Sequence, residues 1–243
     1  MRRSNPLIAS LLTLFFTGVS FISLPGQTAQ EIIQKHELAS GLSAKLKVQT
    51  LTSIGKITQM GYTVPISILQ KRPDKYRFDV HLPDGRITQA YDGQTGWIYN
   101  PYHSNDTTAL EGPALVQIRE SANFDGLLHT YRQQGYMASY LGIKRIGNQT
   151  AHHIRLNKLT GESINFYIDT VTYLVNKTEA EILVSGVPFL AESFFGDYRK
   201  TGGMTLPYHI QSKNGTMITE IRIDTVRINE PMGNIYFLWK IQQ

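Results

Sequence analysis

The stretch that decides the fold reads Lys71-Arg72-Pro73-Asp74-Lys75-Tyr76-Arg77-Phe78-Asp79-Val80-His81-Leu82. It resumes at Asp92-Gly93-Gln94-Thr95-Gly96-Trp97-Ile98-Tyr99-Asn100-Pro101. From Tyr76 the parity is strict: Tyr76, Phe78, Val80 and Leu82 alternate with Lys75, Arg77, Asp79 and His81. Successive strand side chains point to opposite faces, so the run predicts a strand with one apolar and one polar face. Pro83-Asp84-Gly85 and Asp92-Gly93 are turn chemistry, which makes the segment an antiparallel meander. Such alternation fits a closed core and the wall of a cavity equally well.

Working outward, Gln30 to Leu42 reads as a short helix, with Ile32, Ile33, His36 and Ala39 at helical spacing and Gly41 near its end. From Ala44 the pattern turns to strands. Val64, Ile66 and Ile68 share an apolar face, and Pro65 between them predicts an edge position or a distortion. Beyond the loop at residues 102–111, Pro113 suits a first helical position, and Leu115, Ile118 and Ala122 form a narrow stripe. Leu127, Leu128 and Tyr131 continue at helical spacing. The chain then returns to strands. Phe189-Leu190 with Phe194-Phe195 reads as a second apolar insert, and the parity shift from Ile221 and Ile223 to Val226 and Ile228 predicts a bulge. The count is about ten to twelve strands, predicting one mainly β, antiparallel domain.

Met1-Arg2-Arg3, the uncharged run Leu7–Leu24 and Pro25-Gly26 have the layout of a secretory signal. The expected division is a signal peptide over 1–29 and a single domain over 30–243. A cut after Ser20 is the second site, and an uncleaved anchor is the competing reading, since about 18 apolar residues suffice to span a bilayer. Without Arg2 and Arg3, 22 basic residues face 19 acidic ones. They form no basic run, so the balance gives no reason to expect a nucleic-acid partner. The chain has no cysteine, which excludes a thiol nucleophile, a zinc–thiolate site and lipid attachment at an N-terminal cysteine.

The usual catalytic patterns are absent, and no enzyme is expected. His152-His153 are strand neighbours that point to opposite faces and cannot easily share one metal ion. Glu179 and Glu181 read as a solvated stripe. No cofactor and no metal are expected.

Lys71-Arg72-Pro73, the alternating strand after it, Asp92-Gly93-x-Thr95 and Trp97-x-Tyr99-Asn100-Pro101-Tyr102 resemble the signature of LolA-type periplasmic lipoprotein carriers. The likeness is greatest to the relatives called outer-membrane lipoprotein-sorting proteins. It covers about 32 residues closely and, in element order, most of the chain. The resemblance implies an incomplete antiparallel β-barrel, a half-barrel with an N-terminal helix and with lid helices over a hydrophobic cavity. It implies a cavity wall of Val64, Ile66, Ile68, Tyr76, Phe78, Val80, Trp97 and Tyr99. The lid would carry Leu115, Ile118, Leu127, Leu128 and Tyr131, with Arg72 as its latch. The implied function is a monomeric periplasmic carrier that binds the acyl chains of lipoproteins and delivers them toward the outer membrane. Its partners would be an inner-membrane release complex and an outer-membrane acceptor. The alternative is a periplasmic lipid- or lipoprotein-binding sensor on the same fold.

Overall fold

The computed structural model describes residues 27–159, 161–184 and 187–239, without the side chains of residues 182–189. The expected signal segment through residue 26 lies outside the described residues, as does the side chain of Phe189. Helix α1 (Ala29–Ser40) opens on a capping box. The Thr28 hydroxyl accepts from the Glu31 N–H at 3.2 Å, and the Thr28 N–H donates to the Glu31 carboxylate at 2.9 Å. This cap stands N-terminal to the cut expected after Ala29. Gly41 ends the helix at φ +75°, where a Cβ would lie 2.2 Å from the Gly203 carbonyl oxygen. Only glycine fits both that backbone and that approach. A second short helix, α2 (Leu42–Lys45), follows, carrying helix past Ala44, where strand was expected to begin.

The strands are β1 (Thr50–Gln59), β2 (Tyr62–Lys71), β3 (Lys75–Leu82), β4 (Gly85–Tyr91), β5 (Gly96–Tyr99) and β6 (Thr107–Ala109). Two helices intervene, α3 (Gly112–Ala122) and α4 (Leu127–Thr130). The remaining strands are β7 (Tyr136–Ile146), β8 (Gln149–Lys158), β9 (Ser163–Asp169), β10 (Val175–Val184), β11 (Val187–Thr201), β12 (Met204–Asn214) and β13 (Met217–Ile228). All thirteen form one antiparallel sheet, one strand more than the upper expectation. Its order is β6-β5-β4-β3-β2-β1-β13-β12-β11-β10-β9-β8-β7. Sequence neighbours pair throughout except at β1–β13, which joins the two halves of the chain. The ends β6 and β7 do not pair, so the sheet stays open.

Two expectations from parity are met in the register. Asp224 is the extra residue where Ile54 pairs Thr225 and Gly55 pairs Ile223, so the bulge falls between the two apolar runs of β13. Pro65 sits one residue beyond the stretch of β2 that β3 covers, Ile66 to Lys71. Its missing N–H is therefore tolerated at a local edge. The expected insert around Phe194-Phe195 is instead part of β11, a continuous strand of 15 residues. Strand alternation explains why the two phenylalanines separate. Phe195 packs with the core, while the Lys177 ammonium stands 5.0 Å over the Phe194 ring.

Helices α1, α3 and α4 all pack against one face of the sheet, the inner face, in three clusters. Ile32, Ile33 and Leu128 bury against Ile154, Leu156 and Ile168. Phe124, in the turn between α3 and α4, packs with Val48, Leu51 and Met204. Ile118 and Ala122 of α3 pack with Tyr91 and Tyr76.

The outer face of β1–β5 is covered by the chain's own C-terminal segment. Thr50 Oγ1 donates to the Glu230 carbonyl, Lys71 Nζ to Met232, Arg77 Nη1 to Tyr236 and Trp97 Nε1 to Phe237, at 2.6–2.8 Å. Phe237 is fully buried. This strap reverses the expected contrast between the two faces of β3. Arg77 and Asp79, on the polar face, are 7% and 4% exposed, whereas Tyr76, Phe78 and Val80 are only half-buried. The buried polar pair is satisfied: Arg77 Nε donates to Asp79 at 2.8 Å, and Thr88 Oγ1 donates to it at 2.6 Å.

Candidate functional site: a latched lid over an apolar inner face

The pairing registers trace the inner face from β3 to β11. Tyr76, Phe78 and Val80 of β3 stand opposite Gln70, Ile68 and Ile66 of β2. Ile66 and Val64 stand opposite Gly55 and Ile57 of β1. Ile57 faces Ile221, Ile221 faces Ile210, and Ile210 faces Phe195. Within this row Ile57, Val64, Ile68, Phe78, Val80, Ile210 and Ile221 are half-buried and belong to none of the three buried clusters. Trp97 and Tyr99 lie on the other face, because Trp97 pairs with Ala90 and Tyr99 with Thr88. Those positions share the outer side with Arg77 and Asp79.

The residues expected in the lid divide between the clusters. Leu115 and Ile118 lie over β3–β5. Leu127, Leu128 and Tyr131 lie with α1 over β7–β10. Close seating of α3 depends on Gly96. A Cβ there would fall 2.9 Å from Leu115 Cδ1 and 3.1 Å from Ile118 Cγ2. Gly96→Ala should therefore lower stability by about 1 kcal/mol through overpacking. A urea midpoint shifted down at unchanged slope is the expected reading.

Between the two parts of the lid runs the turn Asn123–Gly126, and Arg72 holds it. Arg72 Nη1 and Nη2 make a bidentate pair with the Asp125 carboxylate at 2.8 and 2.5 Å. Nε donates to the Val48 carbonyl at 2.7 Å, and Nη2 also donates to the Lys45 carbonyl at 3.0 Å. The guanidinium carbon lies 4.5 Å from the centre of the Phe124 ring. Planar, forked and always charged, arginine suits this combination of carboxylate, carbonyls and ring. With both side chains only 18% and 19% exposed, the pair is well shielded from solvent.

The hydrogen bonds from Arg72 hold the Asp125 carboxyl below its ordinary value of 3.8, against a smaller opposing push from burial. A depressed folded-state pKa stabilises above the unfolded value and loses that stability as pH falls through the folded one. Protection of the amides in residues 112–130, corrected for the intrinsic exchange rate, should therefore fall as the pH drops below about 4. In Asp125→Asn the same segment should already exchange faster at neutral pH and lack the acid step.

A cavity of about 220 Å³ lies beside this turn. From the helices it is lined by His36, Glu37, Leu42, Lys45 and His129; from the sheet, by Phe166, Val175, Phe195 and Leu206. Of the residues expected at the site, Leu127 and Leu128 border it. His36 Nδ1 is 2.9 Å from the Tyr173 carbonyl oxygen, and burial lowers its pKa. Glu37 meets His129 at 2.8 Å. Sequence reading does not reach this cavity, because its two walls come from opposite halves of the chain and meet only through the β1–β13 joint.

The residues screened for chemistry fall elsewhere. His152 faces inward, with Nδ1 3.1 Å from the Tyr140 hydroxyl, while His153 stacks on Tyr167 on the outer face. Glu179 is not part of a solvated stripe. It is half-buried, accepts from the Tyr167 hydroxyl at 2.7 Å and pairs with Lys177 at 2.5 Å. Among the described residues, no three His, Cys, Asp or Glu side chains gather in a metal-binding group.

No protein-family model matches the sequence, and no curated protein does. Solved structures do match in fold. A LolA superfamily protein from Nitrosomonas europaea superposes with a TM-score of 0.57 at 14% identity, over 87% of this chain and 98% of its own. A DUF1329 family protein from Desulfovibrio piger gives 0.60 at 13%, over 85% and 97%. A putative outer membrane lipoprotein-sorting protein domain from Vibrio parahaemolyticus gives 0.55 at 11%, over 85% and 97%.

Proposed function

We propose that this LolA-like half-barrel is a periplasmic carrier that holds the acyl chains of lipoproteins against its inner face and releases them toward the outer membrane. The observation that carries the reading is the uncovered apolar row. Ile57, Val64, Ile68, Phe78, Val80, Ile210 and Ile221 share the helix-bearing face yet enter no buried cluster. Apolar surface left unfilled inside a fold is the kind that a ligand covers. In this reading Val64, Ile66, Ile68, Tyr76, Phe78 and Val80 form the wall, and α3 and α4 form the lid. Arg72 is the latch of the empty state. Each buried methylene contributes about 0.8 kcal/mol, so one chain of about 16 carbons gains on the order of 12 kcal/mol gross on leaving water. The existing cavity, about 220 Å³, is below the ordinary range for ligand pockets, about 300–1,000 Å³. Extending a chain of that length from the row into this cavity therefore requires the lid to shift and the Arg72–Asp125 pair to open.

Gentle purification from the native host, followed by mass spectrometry of what accompanies the protein, tests the carrier. Acylated peptides or intact lipoproteins are the expected companions. Consistently empty protein bound to an inner-membrane regulator would replace the carrier with a sensor.

A further inference from the structure

The cavity beside the latch is chemically two-sided. Its sheet wall is largely apolar, with Phe166, Val175, Phe195 and Leu206. Its helical wall carries His36, Glu37, Lys45, Asp125 and His129. Most of these polar groups are already engaged. Asp125 is taken by Arg72, whose own nitrogens are all hydrogen-bonded, and Glu37 is taken by His129. His36 uses Nδ1 on the Tyr173 carbonyl oxygen. Lys45 differs. No hydrogen bond or ion pair joins its ammonium to another described residue, although three donors are available.

We infer that this cavity takes the anionic end of a single-chain amphiphile, a carboxylate or phosphate on an aliphatic tail, with Lys45 meeting the charge. The inference rests on the reading of the inner face as an acyl-chain surface and adds to it a polarity and an anchor. With both carboxylates of the cavity already hydrogen-bonded, Lys45 is the charged group of its described lining whose donors remain unused. Burial weakens the ammonium's hold on its proton, as does Arg72, and Asp125 only partly restores it. An anion seated there would supply the missing partner through charge-assisted hydrogen bonds. The apolar sheet wall gives the adjoining methylenes a dry surface.

Calorimetric titration of the purified protein provides the test, using dodecanoate, dodecyl phosphate, dodecanol and dodecyltrimethylammonium below their micelle concentrations, and inorganic phosphate. Dodecanoate and dodecyl phosphate should bind about tenfold tighter than dodecanol, with the cationic chain weakest. Lys45→Met should remove the advantage over dodecanol without weakening dodecanol itself, and Lys45→Arg should keep it. If Lys45→Met does not fold, Lys45→Gln serves in its place. Equal affinities for all four chains in the wild type, or full discrimination in the folded variant, overturn the inference and leave the carrier standing. Inorganic phosphate binding as tightly as dodecyl phosphate makes this a free-anion site and overturns it too. Failure of every aliphatic probe to bind removes the carrier reading as well.

Discussion

Arg72→Leu is expected to leave the thirteen-stranded sheet folded, to cost about 3 kcal/mol and to free the lid. Leucine can replace the contact with Phe124 but none of the polar ones. It abandons the Asp125 carboxylate, 19% exposed, and leaves the Val48 and Lys45 carbonyls without this donor. Removing one partner of a shielded pair costs more than the pair contributes, because the remaining charge is stranded. The consequence is local. Hydrogen exchange should rise across residues 112–130, which ride on the turn, while the amides of β8 and β9 keep their protection. Arg72→Lys should give an intermediate result, since an ammonium keeps the charge and loses the fork. In the carrier reading, the leucine variant also accepts cargo readily and hands it on poorly. Unchanged exchange in residues 112–130 would remove Arg72 from the lid's mechanics.

The second large effect is expected at the far end of the chain. Phe237→Ala should cost about 4 kcal/mol, the ordinary penalty for truncating a fully buried phenylalanine. For a domain of this size that lowers the melting temperature by about 10 °C. The loss extends beyond one side chain, because the strap closes over Arg77, Asp79 and Trp97 on the outer face. Without the Phe237 ring to anchor it the strap loosens, so the main-chain carbonyl of residue 237 no longer fixes the Trp97 indole N–H at 2.8 Å, and water reaches the Arg77–Asp79 pair. A red shift in tryptophan emission should accompany the thermal change. Acyl-chain binding should survive, since the strap and the apolar row occupy opposite faces. That separation distinguishes Phe237 from Arg72.

How much of this was legible in the sequence depends on distance along the chain. Tyr76, Phe78 and Val80 could be assigned to one face because strand alternation is local, and so could the bulge in β13 and the helical stripe of Leu115 and Ile118. The antiparallel sheet follows from many such local readings, its thirteen strands exceeding the expected count by one, while the half-barrel form was implied by the family resemblance. What local pattern could not supply was which face would be the drier. Arg77 and Asp79 look solvated until a segment more than 150 residues downstream folds across them. The same limit applies to Trp97 and Tyr99. Their face is set by the turn Asp92–Thr95, which pairs Tyr91 with Gly96 and leaves Trp97 opposite Ala90. Phe194-Phe195 suggested an insert because adjacent aromatics break alternation, yet a strand with packing partners on both faces accommodates them. Arg72 entered through the Lys-Arg-Pro resemblance, with no physical signal of its own. Its partner Asp125 lies 53 residues away in sequence. Lys45 carried no signal either, and His36 only its place in the helical stripe of α1, since their cavity forms only when β1 meets β13.

Central to the carrier is the apolar row on the inner face as a surface for acyl chains, bordered by a lid that opens. Its most direct test is extraction of a triacylated lipopeptide from vesicles by the purified protein, with the vesicles then removed by flotation. The account predicts a soluble one-to-one complex in which exchange of residues 112–130 is faster than in the empty protein. Lipopeptide that stays wholly with the vesicles while the protein remains empty would contradict it.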